Sequence, residues 1–217
     1  MRFRRLVIPN LALSFVISSI APAQGTARNV HFGVLAGGAF AKVSGKDTKG
    51  QNITTRVGIA AGGFVTIGVS RNFAIEPEVL FAQKGVKSSD ATSTANLKLS
   101  YVEVPVLLKF RFPGTSGGVV VPHLYAGPYL GFKAGCRVSG TDGTLTVSGK
   151  CESQPFDVKL KSTDFGATFG GGVDVGRAII DVRYDLGLSK IGNNTSNNDV
   201  KNRVFYLLAG WTFRAPH

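Results

Sequence analysis

Residues 178–188 read Ala-Ile-Ile-Asp-Val-Arg-Tyr-Asp-Leu-Gly-Leu. Ala178, Ile180, Val182, Tyr184, Leu186 and Leu188 fall on one side of a period-two repeat; Asp181, Arg183, Asp185 and Gly187 fall on the other. Successive side chains of an extended chain point in opposite directions, so this alternation describes a strand whose two faces meet different surroundings. One face is apolar and uncharged. The other carries charges of both signs.

The same alternation recurs near 30–43, 56–69, 73–84, 98–112, 120–133, 163–175 and 203–213, with the quoted stretch inside a segment at 177–189. In the fourth, Val102, Val104, Val106, Leu108, Phe110 and Phe112 oppose Glu103, Lys109 and Arg111. In the last, Phe205, Leu207, Ala209, Trp211 and Phe213 oppose Tyr206, Gly210 and Thr212. Gly recurs inside nearly every apolar run, which argues against long amphipathic helices. Two architectures share such strands. A soluble sandwich or lipocalin-like barrel keeps the apolar face inside, whereas a membrane barrel turns it to lipid and encloses the polar face. Glycines and mixed charges suit a narrow lumen better than an open surface. The connections also alternate in length: short at 70–72, 113–119 and Gly176, long at 44–55, 85–97, 134–162 and 190–202. Short turns at one end and long loops at the other mark an outer-membrane barrel. The expected fold is therefore all-β, an eight-stranded antiparallel up-and-down transmembrane β-barrel. Pro77, Pro105 and Pro128 lie inside these strands. Each removes a ladder bond, which predicts bulges or strand ends there.

Length and composition agree. The chain has 217 residues, of which 18% are charged, 43% hydrophobic and 28 are Gly. That is too apolar for disorder, and the length suits one barrel domain. Arg2, Arg4 and Arg5 precede an apolar stretch from Leu11 to Ile20, and Ala21-Pro22-Ala23 forms a small-x-small site. Residues 1–23 thus read as a cleaved signal peptide, leaving a barrel domain over 24–217. A spanning helix is the alternative, but Pro9, Asn10 and the short run oppose it. Export through such a signal places the barrel in the outer membrane of a Gram-negative bacterium. The net charge of +12 gathers largely at predicted loops: Lys46, Lys49, Lys84, Lys87, Arg137, Lys150, Lys159, Lys161, Lys190 and Lys201. Nucleic-acid binding would need a groove or stacking aromatics, so no nucleic-acid partner is expected. Attraction to lipopolysaccharide phosphates in the outer leaflet accounts for the excess, as does a merely solvated rim.

With strands placed, Phe73-Ala-Ile-Glu-Pro-Glu-Val-Leu-Phe-Ala-Gln-Lys-Gly85, Tyr101-Val-Glu-Val-Pro-Val-Leu-Leu-Lys109 and Leu124-Tyr-Ala-Gly-Pro-Tyr-Leu-Gly131 resemble the PorT-type outer-membrane β-barrel family. Asp164-Phe-Gly166, Gly170-Gly171-Gly172 and Asp181-Val-Arg-Tyr-Asp-Leu-Gly-Leu188 extend the likeness over nearly all of the mature chain. The resemblance implies an integral barrel. Its namesake serves an outer-membrane secretion machinery, so secretion-complex proteins are partners the likeness suggests without carrying the role over. The ending with Phe205, Gly210, Trp211 and Phe213 looks like the insertion signal read by the barrel-assembly machinery. The tail Arg214-Ala-Pro-His217 departs from it, since that signal usually ends on its aromatic residue.

Several constellations remain. Glu76, Glu78, Lys84, Glu103, Lys109, Arg111, Asp164, Asp174, Asp181, Arg183 and Asp185 face inward. In an eight-stranded barrel side chains just fill the interior, so these charges must pair. A polar plug is the plainer outcome and a selective ion path the sharper one. Cys136 and Cys151 fall in the longest external loop, and export favours a disulfide between them. His31 and His123 fall at periplasmic strand ends and His217 in the tail, away from the outer leaflet where barrel enzymes modify lipid. No nucleophile elbow or HExxH is present, and neither an enzyme nor a cofactor is expected. Tyr184, Trp211, Phe213, Phe112 and Phe132 sit toward strand ends, where barrels place aromatic girdles. A structural or interaction barrel is the resulting expectation, with a secretion accessory, a small pore, a lipid-modifying enzyme and a soluble binder as rivals.

Overall fold

The computed structural model describes residues 30–44, 53–89, 93–114, 120–142, 145–151, 161–189 and 201–214. The expected signal segment lies outside them. The strands are β1 (Val30–Ser44), β2 (Ile53–Thr54), β3 (Arg56–Gly68), β4 (Phe73–Ser89), β5 (Ser93–Arg111), β6 (Val120–Asp142), β7 (Leu145–Lys150), β8 (Thr163–Val175), β9 (Ala178–Gly187) and β10 (Lys201–Arg214). Eight of them form a closed antiparallel ring in the order β1, β3, β4, β5, β6, β8, β9, β10. Closure is made by the last strand against the first, from His31 opposite Arg214 to Ser44 opposite Lys201. The two remaining strands are additions at one end: β2 pairs with β4, and β7 pairs with β6.

Burial decides which way the faces point. Leu108 is 56% exposed, while its neighbour Lys109 is 5% exposed. Val57, Ile59, Val79, Leu124, Ile180 and Leu207 are likewise exposed, and Glu76, Glu78, Glu103, Asp181 and Arg183 are buried. In water that arrangement would waste the hydrophobic driving force; in lipid it is the stable one. A charge on the outer face tests it directly. Leu207→Arg is expected to destabilise the folded barrel by about 2–4 kcal/mol, read as a lower urea midpoint in a bilayer.

Aromatic pairs lie toward both ends of the strands, Phe40 with Phe205 toward the end bearing β2 and β7 and the following ones where β1 begins and β10 ends. Phe32 stacks on Phe213, and Phe110 contacts both Phe73 and Phe112 edge-on. Trp211 and Phe132 are also exposed on the outer face. A tight connection at the end where β1 begins is Gly176-Arg177, where Gly176 has φ +60°.

Two expectations are corrected at the opposite end. The connection expected over 85–97 is mostly strand: Gly85 pairs with Lys98, and pairing continues to Ser89 opposite Thr94. Likewise β6 runs to Asp142 and turns back as β7, inside the loop expected over 134–162. These extensions rise beyond the apolar band, where both faces meet polar surroundings. The hydrophobic alternation shrinks there to short pieces such as Leu97-Lys98-Leu99 and Leu145-Thr146-Val147, too brief to mark a strand, although backbone pairing goes on. The prolines are corrected too. Pro77, Pro105 and Pro128 sit in mid-strand with the register unchanged on either side. The ladder skips pairs around them instead of bulging. The one register shift in the β5–β6 ladder falls at Ser100/Tyr101.

Candidate functional site: a lumen crossed by ion pairs

Inward positions on each strand occur at every second residue, so one strand contributes a column of lumen groups. From β4 come Glu76, Glu78 and Lys84; from β5, Glu103, Lys109 and Arg111; from β8, Asp164 and Asp174; from β9, Asp181, Arg183 and Asp185. Acids outnumber bases in this set although the chain as a whole is strongly basic.

At mid-height Arg183 bonds Glu78 with two parallel contacts, Nη1 to Oε2 at 2.7 Å and Nη2 to Oε1 at 2.8 Å. In the ring β9 lies diametrically opposite β4, so this fork spans the whole lumen. Arg183 Nε also donates to the Tyr125 hydroxyl at 3.1 Å, and its guanidinium lies 5.2 Å from that ring's centre. Tyr125 in turn donates to Asp181. A bidentate charged pair with its remaining donor satisfied is the geometry in which a buried ion pair offsets desolvation. Space for the ring is left by Gly170, whose added Cβ would stand 2.4 Å from the Tyr125 hydroxyl.

Toward the end bearing β2 and β7, Lys84 is the centre. Its ammonium pairs with Glu103 and lies 3.8 Å from Asp164 and 3.9 Å from Asp185. The Tyr129 ring centre is 4.8 Å from the same ammonium. The charge distribution also grouped Lys84 with loop cations; it is fully buried instead. Surrounding donors complete the acids. Tyr206 donates to Glu103 at 3.2 Å, Thr168 to Asp185 at 2.7 Å, Asn202 to Asp164 at 3.0 Å and Ser189 to Asp164 at 2.6 Å. The Tyr206–Glu103 bond joins β10 to β5, again opposite strands.

Toward the terminal end Lys109 bonds Glu76 through both oxygens at 3.0 and 3.1 Å, and Thr66 donates to the same carboxylate. His123 lies between two acids, 3.2 Å from Asp181 and 3.3 Å from Asp174. Arg111 reaches Asp174 at 3.9 Å and is half-exposed at the mouth. Beneath these groups the lumen opens as a cavity of ≈ 400 Å³, lined in part by His31, Arg111 and Arg177.

All eleven charged lumen residues named from the sequence take part in these contacts. The sequence reading missed their neutral partners: Tyr125, Tyr129, Thr66, Thr168 and Asn202. Part of the signal was available, because Thr168 shares the inward parity of Asp164 and Asp174 on β8, and Tyr125 and Tyr129 share that of His123 on β6.

Outside the lumen, Cys136 of β6 and Cys151 just past β7 form a disulfide with Cα atoms 5.5 Å apart. Arg137 opposite Lys150 is the neighbouring pair, so the bond closes the base of the β6–β7 hairpin. For a loop of that size the chain-entropy model assigns about 3 kcal/mol. Cys136→Ser is expected to leave the barrel folded and to speed protease cleavage within 137–150. Unchanged cleavage would mean that the ladder alone holds the hairpin.

A closed ring with lipid-compatible residues outside and crossed ion pairs inside defines a small transmembrane β-barrel with a side-chain-filled lumen. Residues 22–193 match the model of the outer membrane protein beta-barrel domain, and the chain belongs to that family of outer-membrane proteins. Solved structures similar to it include Ail, the attachment invasion locus protein of Yersinia pestis, at 15% identity and TM-score 0.46 over 85% of this chain and 99% of that one. Neisserial surface protein A is similar at 20% identity and TM-score 0.48, covering 85% and 97%. OprG from Pseudomonas aeruginosa follows at 12% identity and TM-score 0.43, covering 87% and 98%. No curated protein matches the sequence.

Proposed function

We propose that the protein is a structural or interaction barrel, whose lumen locks the wall and whose working surface is the external rim. One observation carries this reading: the Arg183–Glu78 fork joins strands on opposite sides of the ring. Any solute would have to break a desolvated ion pair to pass. Short turns belong to the periplasmic side of such barrels, so the β2 and β7 extensions and the disulfide face outward. Their partners in this reading are the phosphates of outer-leaflet lipopolysaccharide, after insertion by the barrel-assembly machinery through the strand bearing Phe205, Gly210, Trp211 and Phe213. Lipid modification at the outer leaflet gains no support in this reading, since His123 is buried toward the opposite end of the lumen. Recordings in planar bilayers test the lock. Purified barrel should produce no channel events, and steady single-channel steps would replace this reading with that of a small pore.

A second reading rests on the Glu76-Pro77-Glu78 strand and the Gly127-Pro128 strand, which carry the PorT-type resemblance. It makes the protein an accessory of a secretion complex. Co-purification of periplasmic or membrane secretion components with the tagged barrel supports it, and their absence after mild crosslinking removes it.

A further inference from the structure

Three neighbouring strands place a cation at one level of the external wall. Lys98 of β5 stands directly opposite Arg137 of β6, and Arg137 stands directly opposite Lys150 of β7. Residues directly opposite in an antiparallel ladder share a face, with Cβ atoms about 5 Å apart, and like charges there repel. Two such pairs in succession make a row that favours an anion.

Position narrows the anion. On the same face of β5, Val102 and Ser100 come before Lys98; on β6, exposed Phe132 and then Gly135 come before Arg137. Apolar side chains therefore end at Val102 and Phe132, and the cations follow about 14 Å further along the strand. Strand tilt shortens that height, and long basic side chains reach back toward the interface. The row thus lies at the level of outer-leaflet headgroups. Between belt and row the side chains are small: Ser100, Ala134 and Gly135, where the β5–β6 register shifts. They line a cleft of ≈ 640 Å³ together with Lys98, Lys133, Arg137 and Lys150, and no acid is among its described lining residues. That volume exceeds a bare phosphate and accommodates a phosphorylated sugar. The Cys136–Cys151 bond holds β7 and its Lys150 against β6 at this point.

We infer that the Lys98–Arg137–Lys150 row and its cleft bind the phosphorylated sugar headgroup of an outer-leaflet glycolipid. The inference rests on the external-rim reading and adds the site and the part of the lipid it holds.

Native mass spectrometry of the detergent-solubilised mature protein, with diphosphoryl lipid A added, tests it. The wild-type barrel should retain the lipid at least fivefold better than the Lys98→Gln/Arg137→Gln double variant, with the heat shift on SDS gels unchanged in both. Equal retention by a variant that keeps its heat shift overturns the proposal. A second arm uses the wild-type protein alone and so does not depend on the variant folding. Dephosphorylated lipid A should bind at least fivefold more weakly, and equal binding again overturns the proposal. Displacement of lipid A by millimolar inorganic phosphate would reassign the cleft to soluble anions and also overturn it. Channel activity with retention intact would remove the locked-lumen reading and leave this site standing.

Discussion

Arg183→Ala should lower the stability of the barrel by about 3–5 kcal/mol, the largest loss expected of any single lumen substitution. The side chain carries three contacts at once: both oxygens of Glu78 and the hydroxyl of Tyr125. Removing it leaves the Glu78 carboxylate buried with no cation, and an unpaired buried charge costs far more than the pair contributes. A urea titration in lipid vesicles, read as the fraction of heat-resistant folded band, measures the change. The double variant Arg183→Met/Glu78→Met should regain most of the loss, because apolar residues of similar volume often replace a buried pair without penalty. A cost below about 1 kcal/mol for the single variant would mean the pair is hydrated like a surface salt bridge.

Lys84→Met should be the next most damaging change. Glu103, Asp164 and Asp185 converge on this one ammonium, so its loss leaves three acids facing one another. Packing alone does not explain the expected defect, since Met fills similar volume. Adding Glu103→Gln to Lys84→Met should therefore restore part of the folded fraction by removing one of the three charges. If the second substitution deepens the defect, the acids are not the source of it. Both variants are read on the same gel assay, which keeps their effects comparable.

Much of this architecture is legible in residues 178–188. Asp181, Arg183 and Asp185 alternate with Ile180, Val182 and Tyr184, and that alone places three charges on one face of β9. The choice between a soluble and a membrane barrel then turned on connection lengths, and burial agrees: Ile180 is exposed while Arg183 is not. Pairing partners were not legible. That Arg183 meets Glu78, 105 residues away, follows from ring closure and strand stagger, neither of which leaves a local trace. Lys84 shows the limit in another way. By parity it points inward, yet as a lysine beside Gly85 it also reads as a loop cation. The extensions of β4, β5 and β6 were hidden because Lys87, Thr94, Asn96 and Ser139 dilute the apolar positions there to isolated residues such as Leu97 and Val138. The prolines misled for a related reason: skipping a ladder pair costs less here than shifting every inward group to the lipid side.

The order in which the strands emerge gives the closing strand a second part to play. Tyr206 and Asn202 of β10 complete the partners of Glu103 and Asp164, and β10 is also the strand that seals β1 to β9. A chain halted before residue 201 would therefore lack its seam and leave these two acids short of a donor. Partial barrels have little to hold them, so assembly should be close to all-or-none. Such coupling makes the wall its own proofreader, because only a complete copy acquires the resistance to unfolding that lets it persist.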